Sequence, residues 1–167
     1  TVLSRGLGDV YKRQVFMAGI RDPILVSTID EFISACRQRT ARDVAALGIA
    51  GDDYTLNIQV YGRNAVMGIN EPIKESAAHE LAVLVDVVAL SEDISKAVCA
   101  KARYSLLHTD FPGRMCISGN LAIPFSPSDI PAGTVYEFNI WHTMTCSDPM
   151  EPVRLAFLTP GSPETSS

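Results

Sequence analysis

Leu81 to Leu90, LAVLVDVVAL, restricts this chain more than any other stretch. Read as a strand, it sends Leu81, Val83, Val85 and Val87 to one face and Ala82, Leu84, Asp86 and Val88 to the other. A strand that is apolar on both faces belongs in the middle of a sheet, with neighbours on either side and cover above and below. The rest of the chain has to supply those partners. Val15 to Ile20 is a short apolar run that reads as a first strand. Tyr54 to Tyr61 alternates, with Tyr54, Leu56, Ile58 and Val60 pointing one way and Thr55, Asn57, Gln59 and Tyr61 the other, as in a half-buried strand.

Helices are predicted between the strands. Arg21-Asp22-Pro23 opens one: Asp22 can cap the free N–H groups, and Pro23 loses nothing at the first helical position. Ile29, Phe32, Ile33 and Cys36 follow at helical spacing, and one helix is expected to run to about Leu47-Gly48. Gly62 to Ala78 reads as a loop. Ser91 is expected to cap a second helix that carries Ile94, Ala97, Val98, Ala102 and Leu106 on one stripe and ends near His108. Thr109 to Thr134 reads as a long loop rich in proline and glycine. Val135 to about Thr145 reads as the last strand, and Thr159 to Ser167 as a disordered tail.

The order β-α-β-β-α-β predicts an α+β fold of the ferredoxin-like kind, with a four-stranded antiparallel sheet, two helices on one face and the first and third strands central. The other sheet face would then carry Asn57, Gln59, Tyr61, Leu84, Asp86, Val88, Glu137, Asn139 and Trp141. It is too apolar for simple solvation and too polar for a core, so it is expected to be a contact surface. Its candidate partners are a further domain, a second copy or a ligand. A solvated sheet with scattered apolar residues is the alternative.

Ser4 to Gln14, SRGLGDVYKRQ, reverse-translates in a single frame into the adapter and mosaic end of transposase-made sequencing libraries. Residues 1–14 are therefore expected to be non-native, with a single domain over 15–158 that is the C-terminal part of a longer protein. Without residues 1–14, which hold Arg5, Lys12 and Arg13 against Asp9, the formal charge of −5 becomes more negative still. An acidic domain is a poor partner for nucleic acid or anionic membrane surfaces. The four cysteines, Cys36, Cys99, Cys116 and Cys146, form no C-x-x-C pair, which points to reduced thiols in the cytoplasm, with Cys36 and Cys99 in the core.

Chemistry is sought first in the long loop, because long structureless segments in compact domains are often functional. Arg114 could pair with a carboxylate or phosphate, or form a structural salt bridge. Asn120, Ser126, Ser128 and Asp129 could supply directed hydrogen bonds. Ser126-Pro127-Ser128-Asp129 also fits a capping box that opens a single helical turn. His79 and Glu80 could do acid–base work, but neighbours on an extended chain point opposite ways. His108 fits a helix C-terminus and His142 the apolar face of its strand. No metal site is expected, and there is no phosphate-binding or dinucleotide-binding glycine motif, so no cofactor is expected.

Several segments, taken together, resemble AtuA-like proteins, the acyclic terpene utilisation family. They are Gly19-Ile20-Arg21-Asp22-Pro23, Tyr61-Gly62-Arg63-Asn64-Ala65-Val66-Met67-Gly68, Ala78-His79-Glu80, Leu106-Leu107-His108 with Pro112-Gly113-Arg114, and Gly119-Asn120-Leu121-Ala122 followed by Pro124-Phe125-Ser126-Pro127-Ser128-Asp129 and Val135-Tyr136-Glu137-Phe138. The resemblance implies a larger cytoplasmic protein with an N-terminal α/β domain and a role in breaking down isoprenoid or branched acyl-CoA compounds; a homo-oligomer is expected as well. It implies a small acyl-type ligand and assigns no catalytic residue.

Overall fold

The computed structural model describes residues 10–73, 78–115, 119–136, 147–148 and 150. Its elements are β1 (Val10–Ile20), α1 (Pro23–Ser27), α2 (Ile29–Ala45), β2 (Tyr54–Tyr61), β3 (Leu81–Ala89), α3 (Glu92–His108) and β4 (Asp129–Tyr136). The strands form one antiparallel sheet in the order β2-β3-β1-β4, so the first and third strands are central, as the apolar pattern requires. Leu81, Val83, Val85 and Val87 of β3 join Phe16, Ala18 and Ile20 of β1 and Ile58 and Val60 of β2 in a single buried cluster. Phe32, Ile33, Cys36 and Val44 of α2 and Val98, Cys99, Ala102 and Leu106 of α3 complete it. α3 lies against β1 and β3, and α2 packs beside α3.

Local chemistry sets the helix ends. The Asp22 carboxylate accepts from Ile24 N at 2.8 Å and Leu25 N at 3.0 Å, starting α1. Ser91 Oγ accepts from Ile94 N at 3.2 Å, Glu92 and Asp93 occupy the first turn of α3 and His108 its last, so both ends suit the helix dipole. The single helix expected from Pro23 to Leu47-Gly48 is two. Ser27 and Thr28 turn their hydroxyls onto Ile24 O, at 2.7 and 3.0 Å, and Thr28 leaves helical geometry. Short hydroxyl side chains compete with the helical ladder in this way.

Two strand ends also differ from expectation. β1 starts at Val10 rather than Val15, and Gln14 is 2% exposed. Strand pairing uses backbone groups, so the adapter-like residues 10–14 extend the ladder whatever their origin. β4 begins at Asp129, six residues before the expected Val135, which shortens the long loop. Its side chains are almost all exposed, so the period-2 signal that marks a half-buried strand is missing. Backbone pairing with β1 and an ion pair from α3 hold it instead. The helical turn predicted from Ser126 to Asp129 does not form, because Asp129 is the first residue of β4. The later part of the expected strand, residues 137–145, lies outside the described residues, as do the tail and residues 1–9.

The hydrogen-bonding parity of the sheet follows from one bridge. Gly19 and Ala122 exchange both backbone hydrogen bonds at 2.8 Å. Odd residues of β1 therefore face the β4 side, and even residues face β3. Carried through the register, this parity turns the backbone groups of Leu56, Ile58 and Val60 to the free edge of β2. That edge is closed by α2 and the following loop. Arg37 Nη1 donates to Leu56 O at 3.3 Å and Nη2 to Ile58 O at 3.0 Å, and Val60 O accepts from the amides of Arg63, Asn64 and Ala65. On the opposite edge, Pro131 of β4 stands where an N–H would point outward. Both edges are thus poor templates for an added strand.

Two stability measurements test this architecture. Leu106→Ala, which empties a fully buried site, is expected to cost about 2–5 kcal/mol in urea unfolding. Arg37→Met is expected to leave the core intact yet raise concentration-dependent aggregation, measured by light scattering; unchanged scattering would show that the guanidinium does not guard the edge.

Candidate functional site

At the C-terminal end of β1 the chain builds a small cleft. The Gly19–Ala122 bridge pins residues 119–122 beside the strand. Asn120 fastens the same segment to the end of α3, with its backbone N donating to Leu107 O at 3.1 Å and Nδ2 donating to Leu106 O at 3.2 Å and Thr109 O at 2.8 Å. A helix C-terminus has carbonyls that lack intrahelical partners, and Asn120 supplies them. Both amide hydrogens point at carbonyls, which fixes the orientation of the carboxamide and leaves Oδ1 buried without a hydrogen bond.

Phe111-Pro112-Gly113-Arg114 forms the opposite wall. Arg114 N donates to Phe111 O at 3.1 Å, and Gly113 has φ +83°. Pro followed by a positive-φ Gly is the signature of a type II turn. A Cβ on Gly113 would meet the tip of the Ile24 side chain at 2.8 Å, a contact that Ile24 can relieve by shifting, so it is the positive φ that asks for glycine. Phe111 stacks edge-on against Phe32, with ring centroids 6.1 Å apart, which anchors the wall to the core.

The cleft has a volume of about 200 Å³ and is lined by Gly19, Arg21, Asp22, Phe111, Arg114 and residues 119–122. Arg114 is only 15% exposed, with Asp110 Oδ1 4.0 Å from Nη1. The one carboxylate in the lining, Asp22, is engaged in capping α1. Two guanidinium groups, Arg21 and Arg114, thus line the cleft, with the Asp22 and Asp110 carboxylates beside them. Such a volume lies below the roughly 300–1,000 Å³ of sites for drug-sized ligands, so it suits a small group.

Of the residues predicted as a ligand site, the structure brings together Arg114 and Asn120. Asp129 instead pairs with Arg103 of α3 at 2.8 Å and accepts from Ser128 Oγ at 3.3 Å, which ties β4 to the helix. Ser126 is exposed in the bend before β4, and neither it nor Ser128 lines the cleft. His79 and Glu80 are exposed just ahead of β3, at the same end of the sheet but not in the cleft lining. Arg21 was legible only as part of a helix start; that Gly19 is bridged to residue 122, far along the chain, is what makes it a site residue.

The open sheet face holds the described members of the predicted contact surface. Asn57, Asp86, Val15 and Ile130 form one row across all four strands, and Gln59, Leu84 and Met17 form the next. Tyr61 lies exposed at the end of β2. Asp86 sits 3.0 Å from Arg13 Nε, off the hydrogen-bond direction, as an ion pair. Glu137, Asn139 and Trp141 lie outside the described residues, as does His142. A wider cleft of about 560 Å³ at the other end of the sheet involves Tyr11, Asp52, Asp53, Tyr54 and Tyr136, none of them predicted as a site, and Tyr11 falls within the adapter-like stretch.

Among the described residues, no group of three or more His, Cys, Asp or Glu could hold a metal ion. No described helix is long and apolar enough to cross a membrane. His108 ends α3 and stacks on Tyr104, with ring centroids 4.7 Å apart. Cys36 and Cys99 are free and buried. Burial pushes the Cys36 thiol up to about 11, against the lowering effects of a Thr109 hydrogen bond and Arg39. Burial, reinforced by the Asp129 charge, pushes Cys99 up to about 12.

No protein-family model matches this chain, and no match emerges among curated proteins or solved structures.

The thiols yield a pH test. Raised folded-state values mean that the protonated forms are favoured in the fold. Their contribution is complete below the ordinary thiol value of 9.0 and is lost as pH climbs through about 11 for Cys36 and about 12 for Cys99. Urea midpoints are expected to fall over that window, and a Cys36→Ala, Cys99→Ala double variant is expected to flatten this part of the profile. In the folded protein at pH 8, a thiol reagent should leave both residues unmodified.

Proposed function

We propose that this chain is a ligand-holding domain of an AtuA-like protein concerned with isoprenoid or branched acyl-CoA breakdown, and that its cleft receives a small carboxylate-bearing molecule. The observation that carries this reading is that Arg21 and Arg114 line one cleft of about 200 Å³. Guanidinium groups match carboxylates in geometry as well as charge. Phe111 and Leu121 offer apolar walls to the remainder of a short acyl group. Among the described residues, the lining holds no histidine or cysteine, and its one carboxylate, Asp22, caps α1, so the reading offered is one of binding. The strand order β2-β3-β1-β4, with helices between β1 and β2 and between β3 and β4, supports the ferredoxin-like reading of the fold. Two free, buried thiols support a cytoplasmic setting.

A second reading is an assembly module that acts through the open sheet face. It is favoured by the apolar residues Val15, Met17, Leu84 and Val88 on that face beside Asn57 and Gln59. Its partner would be the α/β domain that the resemblance implies, or another copy of the chain.

Calorimetric titration with isovalerate tests the first reading, with the uncharged isovaleramide as control. Isovalerate is expected to bind and isovaleramide not. Arg21→Ala and Arg114→Ala are each expected to weaken binding about 10- to 100-fold, as loss of a charge-assisted contact of about 1.5–3 kcal/mol implies. Asp129→Asn, which loosens β4 alone, should leave affinity unchanged. Equal affinity for acid and amide, or undiminished binding in both arginine variants, would remove the carboxylate site.

A further inference from the structure

We infer that the open face of the sheet is a self-association surface on which a second copy of this chain packs face to face. The inference rests on the assembly reading and goes further by naming the occupant. Strand addition is disfavoured at both edges, since Arg37 and the 63–65 amides occupy the outward carbonyls of β2 and Pro131 interrupts β4. The face is what remains.

Its centre is apolar and its β2 side polar. Met17 stands opposite Leu84, and Val15 is opposite Asp86, one step along the same two central strands. Val88 continues the apolar surface along β3, and Met17 is 43% exposed. Asn57 and Gln59 flank this centre from β2. An apolar middle with a polar border is the layout of protein interfaces.

Charge selects the partner. The chain carries a net charge of −5, so two copies repel unless they meet through a neutral surface. On the described face the one acid of β1–β3, Asp86, pairs at 3.0 Å with Arg13, which lies in the adapter-like stretch, and the neighbouring positions are uncharged. A strongly charged partner would find nothing complementary here. A second copy finds a match, because a two-fold contact needs self-complementary groups and the carboxamides of Asn57 and Gln59 each carry donors and acceptors. Size agrees as well. Four strands about 4.8 Å apart and eight residues at about 3.3 Å each span a flat area of roughly 500 Å², and side-chain relief enlarges it. This approaches the roughly 800 Å² that each partner contributes to a standard interface.

The experiment combines sedimentation of the 167-residue chain, from low to high micromolar concentration, with oxidative footprinting of Met17. The expected result is a shift to twice the chain mass, with Met17 oxidation falling several-fold in parallel. Leu84→Arg, and independently Gln59→Arg on the edge strand, should hold the chain as a monomer with Met17 fully labelled. A monomer in which Met17 is protected at every concentration would overturn the second copy while leaving the face covered by something else, so the assembly reading would survive. A monomer with Met17 labelled throughout would overturn both. A dimer that leaves Met17 labelled, or that persists in both variants, would assign self-association to another surface and overturn the inference.

Discussion

The pairing of β1 with β3 is the contact on which everything else in this molecule depends. It joins nine consecutive residue pairs, from Lys12 opposite Ala89 to Ile20 opposite Leu81. It also stacks Phe16, Ala18 and Ile20 beside Val83, Val85 and Val87 on the face that α2 and α3 cover. Full burial of a valine- or leucine-sized side chain is worth about 1.5–3 kcal/mol, so a dozen such residues in one cluster dominate the favourable side of folding. Every outlying element is positioned from this ribbon. β2 takes its register from β3, β4 takes its register from β1, and the end of β1 delivers Gly19 to Ala122.

The cleft and the open sheet face are consequences of the same ribbon, seen at its end and on its uncovered side. Period-2 alternation means that burying one set of side chains presents the other set opposite the helices. Leu84, Met17 and Val15 lie on the uncovered face because Val83, Val85 and Phe16 are committed to the core. The cleft depends on where β1 stops. Ile20 is the last paired residue, Asp22 must turn the chain to cap α1, and Arg21 is left between them at the mouth. On the far wall a proline and a positive-φ glycine aim Arg114, and Asn120 holds the segment by bonding carbonyls that α3 cannot satisfy internally.

The polar groups in the fold divide by what their neighbours require. Asp129 and Arg103 act on each other and fasten an edge strand that has little hydrophobic hold of its own. Arg37 serves the backbone of β2, and Asp22 and Ser91 serve helix amides. These are structural uses of residues that look chemically able in isolation. Arg21 and Arg114 line the cleft at the end of β1, where Arg114 also pairs with Asp110.

Periodicity alone determined the interior of this protein. The doubly apolar run at Leu81 to Leu90 required a central strand, the alternation from Tyr54 to Tyr61 required a half-covered one, and Asp22-Pro23 and Ser91 marked helix starts, because each of these depends on residues within a few positions of one another. Tertiary structure decided the rest. The first part of β4, Asp129 to Thr134, carried no signal because an exposed edge strand is held by backbone hydrogen bonds to β1, and backbone bonds leave no trace in side-chain pattern. Ser126 to Asp129 looked like a helix cap because a carboxylate three residues after a serine suits one; Arg103, distant in sequence, offered Asp129 a stronger partner. Arg21 and Arg114 became neighbours of one cleft through a bridge between Gly19 and Ala122. Contacts between residues so far apart are set by the packing of the whole sheet, and local sequence carries no record of them.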